Sequence, residues 1–377
     1  MNGSPEAPRV LIATTSVRGN SGTDLYTRDL ALALLRRGWL PIVYATHTGP
    51  VAEELRAKMV PVVDDLTRVG ARPDVIHGHH HLETLAAIAR FPTVPALFVC
   101  HDAFNWHSLP PAPPLVSEYV AVDRNTRDRM MLEYGIPADR IQVLSNPVDL
   151  ERFVPRGPLP PQPRRALVFS NRAPLNTWVV PIRAACEQRG LALDVIGTMA
   201  GRQVDQPETL LGKYDLVFAR GRCALEAAAT GCAVIVCDAP GLAGMLTGEN
   251  VERLRQLNLG VRALQRDITQ ESILGEIARY DAADAARVSS WLRTAADSNL
   301  LADAFIGIYD ELRETHDVAS PETLLEGLSL SIERINARLH APAPRSLRER
   351  IATKLQSSSL LAAPARVLYR LKKRLEE

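Results

Sequence analysis

Short apolar runs rich in Val and Ile alternate with helical periodicity from the start of the chain. Arg9-Val-Leu-Ile-Ala-Thr-Thr, Leu40-Pro-Ile-Val-Tyr-Ala-Thr, Asp74-Val-Ile-His, Ala96-Leu-Phe-Val-Cys-His and Tyr119-Val-Ala-Val-Asp form one series. A second series follows a proline-rich stretch: Ala166-Leu-Val-Phe-Ser, Leu193-Asp-Val-Ile-Gly, Asp215-Leu-Val-Phe-Ala and Ala233-Val-Ile-Val-Cys-Asp. Apolar runs without period-two alternation suit strands covered on both faces. The pattern predicts an α/β fold of two doubly wound, Rossmann-like domains, residues 1–153 and 164–340, joined by a linker at 154–163. Two such units leave a cleft between the carboxyl ends of their strands, where open α/β sheets take ligands.

After residue 282 the pattern is wholly helical, through Ala285 to Thr315 and Pro321 to Leu339, which predicts a helical C-terminal extension. From 341 to 377 the composition becomes basic; residues 342–377 carry nine Lys or Arg against three Glu. Val367, Leu368, Leu371 and Leu375 share one side there, flanked by Arg366, Arg370, Lys373 and Arg374. That pattern fits either a basic amphipathic helix on an anionic membrane or a terminal helix docked on the protein.

At 377 residues the chain suits two domains of about 150 to 200 residues. With 46% apolar and 23% charged residues it is neither a disordered polymer nor a multispanning membrane protein. Forty-four basic and forty-three acidic side chains leave a net charge of +1 and no global attraction to nucleic acid. The five cysteines form no metal or redox spacing and read as reduced packing residues. No export signal or apolar span is visible, so a cytoplasmic location is expected, with the tail allowing contact at the inner membrane face.

Two segments carry candidate chemistry. Thr14 to Asp24 leaves the first strand and enters a helix expected over Asp24 to Arg37, stopped by Gly38. Gly19 and Gly22 permit close backbone approach, and the helix start with Thr23 offers N–H donors to a phosphate. In the second, Phe218 to Asp238, a strand ends at Ala219, Gly221 turns the chain, and an alanine-rich helix runs to Gly231. Backbone donors around Arg222, Cys223 and Ala224 would face a diphosphate, with Arg220 or Arg222 as charge partner. Glu226 would accept from a ribose. Otherwise this is a small-residue helix packed on a sheet with Glu226 solvated.

Four of the nine histidines fall in His77-Gly-His-His-His, where consecutive residues at a strand end point different ways, so cleft lining is favoured over a metal site. His101 ends a buried strand and is a candidate to bond or deprotonate an acceptor hydroxyl; the alternative is a structural histidine bonded to Asp102. His101, Asp102 and Asp24 are the placed candidates for a base if the reaction inverts; retention needs none.

Four segments in order resemble glycosyltransferase family four, of GT-B architecture. Ser21-Gly-Thr-Asp to Arg37-Gly-Trp is similar to the family's Gly-Gly-x-Glu helix ending in Arg-Gly-His. Asp74-Val-Ile-His-Gly-His and Cys100-His-Asp are similar to its Asp-Val-Val-His-x-His and Thr-His-Asp. Arg140-Ile-Gln-Val-Leu-Ser-Asn-Pro-Val-Asp-Leu-Glu-Arg-Phe resembles its Lys-Ile-x-Val-Ile-x-Asn-Gly-Val-Asp segment, and Glu226 matches its second conserved Glu. The resemblance implies an acceptor-side first domain and a second domain that binds a nucleotide sugar, UDP- or GDP-linked, without a metal. It implies Gly22 under the donor, His101 near the reacting centre, and Glu226 on the ribose.

The chain departs from the pattern too. The family's first Glu falls at Phe218; Arg172 lacks its lysine partner; Ser21, Asp24 and Pro147 replace Gly, Glu and Gly. The expected activity is transfer of a hexose-type sugar to a glycan or lipid-linked hydroxyl acceptor, as in bacterial lipopolysaccharide or polysaccharide assembly. The alternatives are a degenerate nucleotide-sugar-binding or scaffolding module and a nucleotide-sugar 2-epimerase. Between Arg164 and Leu339 only His316 would serve the latter's proton transfers.

Overall fold

The computed structural model describes residues 7–340 other than 20, 103, 104, 176 and 205, so the basic tail lies outside the described residues. The first sheet contains β1 (Arg9–Val17), β2 (Leu40–Thr48), β3 (Val62–Val63), β4 (Val75–Gly78), β5 (Ala96–Cys100), β6 (Glu118–Ala121) and β7 (Ile141–Val143). All seven run parallel in the order β3-β2-β1-β4-β5-β6-β7. The crossovers carry α1 (Gly22–Arg36), α2 (Pro50–Ala57), α3 (His81–Arg90) and α4 (Arg124–Tyr134). Along β1, Val10 and Ile12 enter one core while Leu11 and Ala13 enter the other, as expected of a strand buried on both faces.

The second sheet contains β8 (Arg165–Phe169), β9 (Ala192–Ile196), β10 (Leu216–Ala219), β11 (Ala233–Asp238) and β12 (Gly241–Met245), in the order β12-β11-β10-β8-β9. It is parallel except for the edge strand β12, which turns back antiparallel on β11. Around it lie α5 (Val179–Gln188), α6 (Glu208–Leu211), α7 (Gly221–Thr230), α8 (Val251–Gln256), α9 (Gln270–Ile277) and α10 (Ala282–Ala295). Phe218 is fully buried in β10, so no carboxylate stands at the position of the family's first Glu.

The helical run after 282 is broken at Ala296–Asp297, because the chain there crosses back to the first domain. Val148 N donates to Ala296 O at 2.7 Å and Ser298 N to Val148 O at 3.1 Å, so the outgoing and returning segments pair side by side. Next, α11 (Ser298–Thr315) sets Leu301, Phe305, Ile308, Tyr309 and Leu312 into the core with Val10, Ile12 and Leu34 of the first domain. In α12 (Pro321–Leu339), Leu324 and Leu328 pack against the opposite core of the first sheet. The returning helix thus completes the first domain rather than the second. Val148 and Phe153 already belong to the second core, so the crossing precedes the proline-rich stretch. Residues 1–331 form one compact unit, whereas α12 from Ile332 belongs to another. Among the described residues no helix is long and apolar enough to cross a membrane.

Candidate functional site

The carboxyl ends of both sheets meet at a cavity of about 360 Å³. From the first domain it is lined by Ser21, Gly22, Thr23 and Tyr26 of the α1 start, and by His80, His101, Asp102 and Asn146. Arg172 and Arg222 enter from the second. Six of the residues singled out in the sequence, Gly22, Thr23, His101, Asp102, Arg172 and Arg222, are therefore brought together. Asp24, Arg220, Gly221, Cys223 and Glu226 stand outside its lining.

The α1 start is built by its own side chains. Ser21 caps the helix, its Oγ accepting from Asp24 N at 3.1 Å, while Asp24 accepts from Gly19 N at 2.7 Å and from Ser21 Oγ at 2.6 Å. With 1% of its surface exposed, Asp24 holds the glycine turn instead of facing the cavity, so its expected role as a base gives way to a structural one. Nothing lies within 4 Å of where a Cβ at Gly22 would be, leaving its backbone open to a ligand. Asp102 likewise organises its loop, accepting from Asn105 N at 3.0 Å and from its side-chain amide at 2.5 Å, while remaining at the cavity wall.

The four clustered histidines diverge. His77 Nδ1 meets the Tyr309 hydroxyl at 2.6 Å, His79 Nδ1 meets His101 Nε2 at 2.8 Å, and His81 Nδ1 meets Leu109 O at 2.8 Å. His80 Nδ1 accepts from Thr15 N at 3.0 Å, which places its proton on Nε2. Gly78, between them, is required by close packing: a Cβ there would stand 2.1 Å from Thr84 Oγ1 of α3. Burial pushes His77 down to about 3 and His80 down to about 4, and holds His79 and His101 well below the ordinary imidazole value. These four imidazoles are thus neutral. Tyr26 stacks edge-on against both His79 and His101, with ring centroids 5.4 and 4.8 Å away. Among the described residues no group of three or more His, Cys, Asp or Glu is arranged to hold a metal ion. The anticipated His101–Asp102 bond is not the one found: His101 bonds His79.

The second-domain wall is ionic. Arg222 Nε donates to Glu226 at 2.7 Å, one helical turn along α7, and its Nη2 reaches across to Asp29 of α1 at 2.6 Å. Asp29 in turn accepts from Arg28 at 2.6 Å. This chain of alternating charge joins the two domains. Burial opposes the charge on Arg222, but Asp29 and Glu226 outweigh it and hold its guanidinium above its usual value. Glu226 is 5% exposed; burial pushes its carboxyl up against the pull of Arg222. It is therefore neither solvated nor open to a ribose in this arrangement.

Gly221 opens α7 with a left-handed φ of 55°, which favours glycine. Its N–H is taken by Leu259 O at 3.0 Å, so the first donor of the helix is already used. The loop that takes it has Asn258 and Leu259 at φ 57° and 47°, a strained pair for residues with side chains. Asn258 also accepts from Asn146 of the first domain at 3.0 Å, locking the loop over the helix start. Arg220 turns away to an ion pair with Asp238, and burial raises the Cys223 thiol well above its normal range. All five cysteines are unpaired thiols. Arg172 is exposed and has no carboxylate partner among the described residues.

Sequence reasoning missed Asp29, Tyr26 and Asn146. Adjacent Arg28 and Asp29, directly before the apolar run Leu30 to Leu35, were the available sign of the first. Tyr26 looked like an ordinary core position.

Residues 20–152 match Glycosyltransferase Family 4. No curated protein matches the chain. A glycosyltransferase from Rickettsia africae ESF-5 superposes with a TM-score of 0.62 at 13% identity, covering 83% of this chain and 100% of that one. Anabaena Alr3699/HepE in complex with UDP superposes with a TM-score of 0.55 at 13% identity, covering 81% and 100%. Its complex with UDP-glucose gives 0.53 at 14% identity, covering 79% and 99%. At such identities the structures establish architecture, and the sequence match lies in the first domain alone. The chain is a divergent, glycosyltransferase-like GT-B protein resembling glycosyltransferase family four.

Proposed function

We propose that the protein is a metal-independent glycosyltransferase that moves a hexose-type sugar from a nucleoside diphosphate, UDP or GDP, to a hydroxyl of a glycan or lipid-linked acceptor. The observation that carries this reading is the cavity where the open backbone of Gly22, the unpaired guanidinium of Arg172 and the neutral His101 face one space. The guanidinium and helix start supply positive potential for a leaving diphosphate. The bound UDP and UDP-glucose of Anabaena HepE make UDP the first nucleotide to test.

His101 suits donation better than proton abstraction. His79 Nε2 is buried without a partner. A bare lone pair is cheaper to leave there than an N–H, so His79 carries its proton on Nδ1 and gives it to His101 Nε2. His101 then holds its own proton on Nδ1, ready for a sugar or phosphate oxygen. Retention of configuration, with the leaving phosphate accepting the acceptor's proton, fits such a neutral donor.

A scaffolding or sensing module is the second reading, favoured by the engaged Arg222, the occupied Gly221 N–H and the apolar Phe218. The 2-epimerase reading gains no support from His316, whose ring meets Ser117 Oγ at 3.3 Å, next to the amino end of β6. Calorimetry with UDP and GDP, then product analysis with and without acceptor, tests these. Turnover only with acceptor is expected; binding without any turnover would leave the sensor, and no binding the scaffold. The tail at 342–377 is proposed to bring the protein to an anionic inner membrane face, as in lipopolysaccharide or polysaccharide assembly. Deleting it should abolish sedimentation with anionic vesicles.

A further inference from the structure

A second recess, of about 600 Å³, opens between the domains and shares no lining residue with the donor cavity. Its walls are Arg124, Arg127 and Asp128 of α4, Arg253, Gln256 and Leu257 at α8, and Arg262. Arg124 and Arg127 are three residues apart on one helix, as are Arg253 and Gln256 on the other, so each helix turns one face to the same space. Arg262 is tied to Asp128, which bridges the domains. Among the described residues, Arg124, Arg127 and Arg253 have no carboxylate within ion-pair distance. Three uncompensated guanidiniums around one concavity repel one another and concentrate anions there. Arginine's planar fork matches the oxygens of a phosphate, and Gln256 adds an amide donor.

We propose that this recess binds a phosphate or diphosphate group, as a second anion site independent of the donor cavity. The bound anion touches both α4 and α8 and so bridges the two domains. The inference does not rest on the glycosyl-transfer reading, because its residues are separate from those of the donor cavity.

The test is calorimetric titration of the full-length protein with inorganic pyrophosphate, in the presence of saturating UDP so that the donor cavity is occupied. The Arg124→Ala/Arg253→Ala double variant removes two exposed side chains, so its melting temperature should match the parent's. Its pyrophosphate affinity should fall roughly a hundredfold, as expected for two lost charge-assisted contacts, whereas Arg172→Ala in the donor cavity should leave that affinity unchanged. Pyrophosphate that fails to bind the parent, binds the double variant equally well, or is lost instead on Arg172→Ala would overturn the proposal. UDP affinity measured on the same double variant should be unaltered, which separates this site's failure from that of the donor reading.

Discussion

The two walls of the donor cavity solve the problem of polar burial differently. On the first-domain side, the imidazoles of His77, His79, His80 and His101 are kept neutral by burial, and all four bond to a neighbouring ring or hydroxyl or to a backbone amide. On the other, Arg222 and Glu226 of α7 join Asp29 and Arg28 of α1 in a chain of alternating ion pairs. Neutral imidazoles can face a sugar or hydroxyl without a large desolvation penalty, whereas an ion chain already holds counter-charges that an incoming diphosphate must displace or join. Under the proposed transferase reading, the difference couples nucleotide binding to an interdomain ion chain and leaves the acceptor side preformed.

The strongest way to break the contrast is Arg222→Ala. It strands Glu226 and leaves Asp29 with Arg28 alone, both carboxylates having side chains under 10% exposed. Losing one partner of a buried pair costs about 3–5 kcal/mol, and a chemical denaturation midpoint should shift accordingly, with nucleotide affinity lost as well. A variant as stable as the parent would mean that the chain is not formed in solution.

His101→Asn is expected to act next most strongly, and on turnover instead of stability. Removing one preorganised donor from the reacting region lowers kcat by about a hundredfold, with nucleotide affinity kept. A drop in melting temperature without a change in kcat would assign the ring to packing against Tyr26 and His79 alone.

How much of this was legible beforehand follows the same division. The strand series was readable because fully buried parallel strands leave unbroken apolar runs, and every run proposed as a strand is one. The short edges β3, β7 and β12 went unseen, since two to five residues without a distinct pattern carry too little signal. The α1 start, His101 and Arg172 were recoverable from turn glycines and strand ends. Arg222's partner across the domains was not, because Asp29 lies 193 positions away and only the domain closure brings the two together. The return of α11 to the first sheet was hidden for a related reason: an amphipathic helix declares that it must pack, not on which sheet.

The neutral imidazoles predict an acid sensitivity. His80 has a folded-state value near 4 against an ordinary 6.5. Above 6.5 neither state takes up a proton and stability is flat. As pH falls from 6.5 towards 4, the unfolded chain binds a proton that the folded one refuses, so stability is lost. The slope is about 1.4 kcal/mol per pH unit for one imidazole once pH is well inside that window. His80→Asn should flatten the stability profile by that amount between those limits, measured by denaturation at several pH values; an unchanged slope would show that His80 protonates as readily folded as unfolded.

The smallest expected effect is also the most selective. Asp29→Asn keeps the shape of the contact and removes the charge that draws Arg222 to the first domain at 2.6 Å. Burial opposes ionisation of Asp29, yet Arg222 and Arg28 outweigh that and hold its carboxyl below its usual value, so it is charged at neutral pH and the substitution does change the electrostatics. Arg28 retains Glu54 at 3.5 Å, which limits the loss of stability to about 1 kcal/mol. With its competitor neutral, Arg222 has only Glu226 to leave before meeting a diphosphate, and UDP affinity should rise by about threefold to tenfold. Weaker binding would mean that the Asp29 bond holds Arg222 in its binding pose, making the ion chain a preformed part of the site instead of a latch across it.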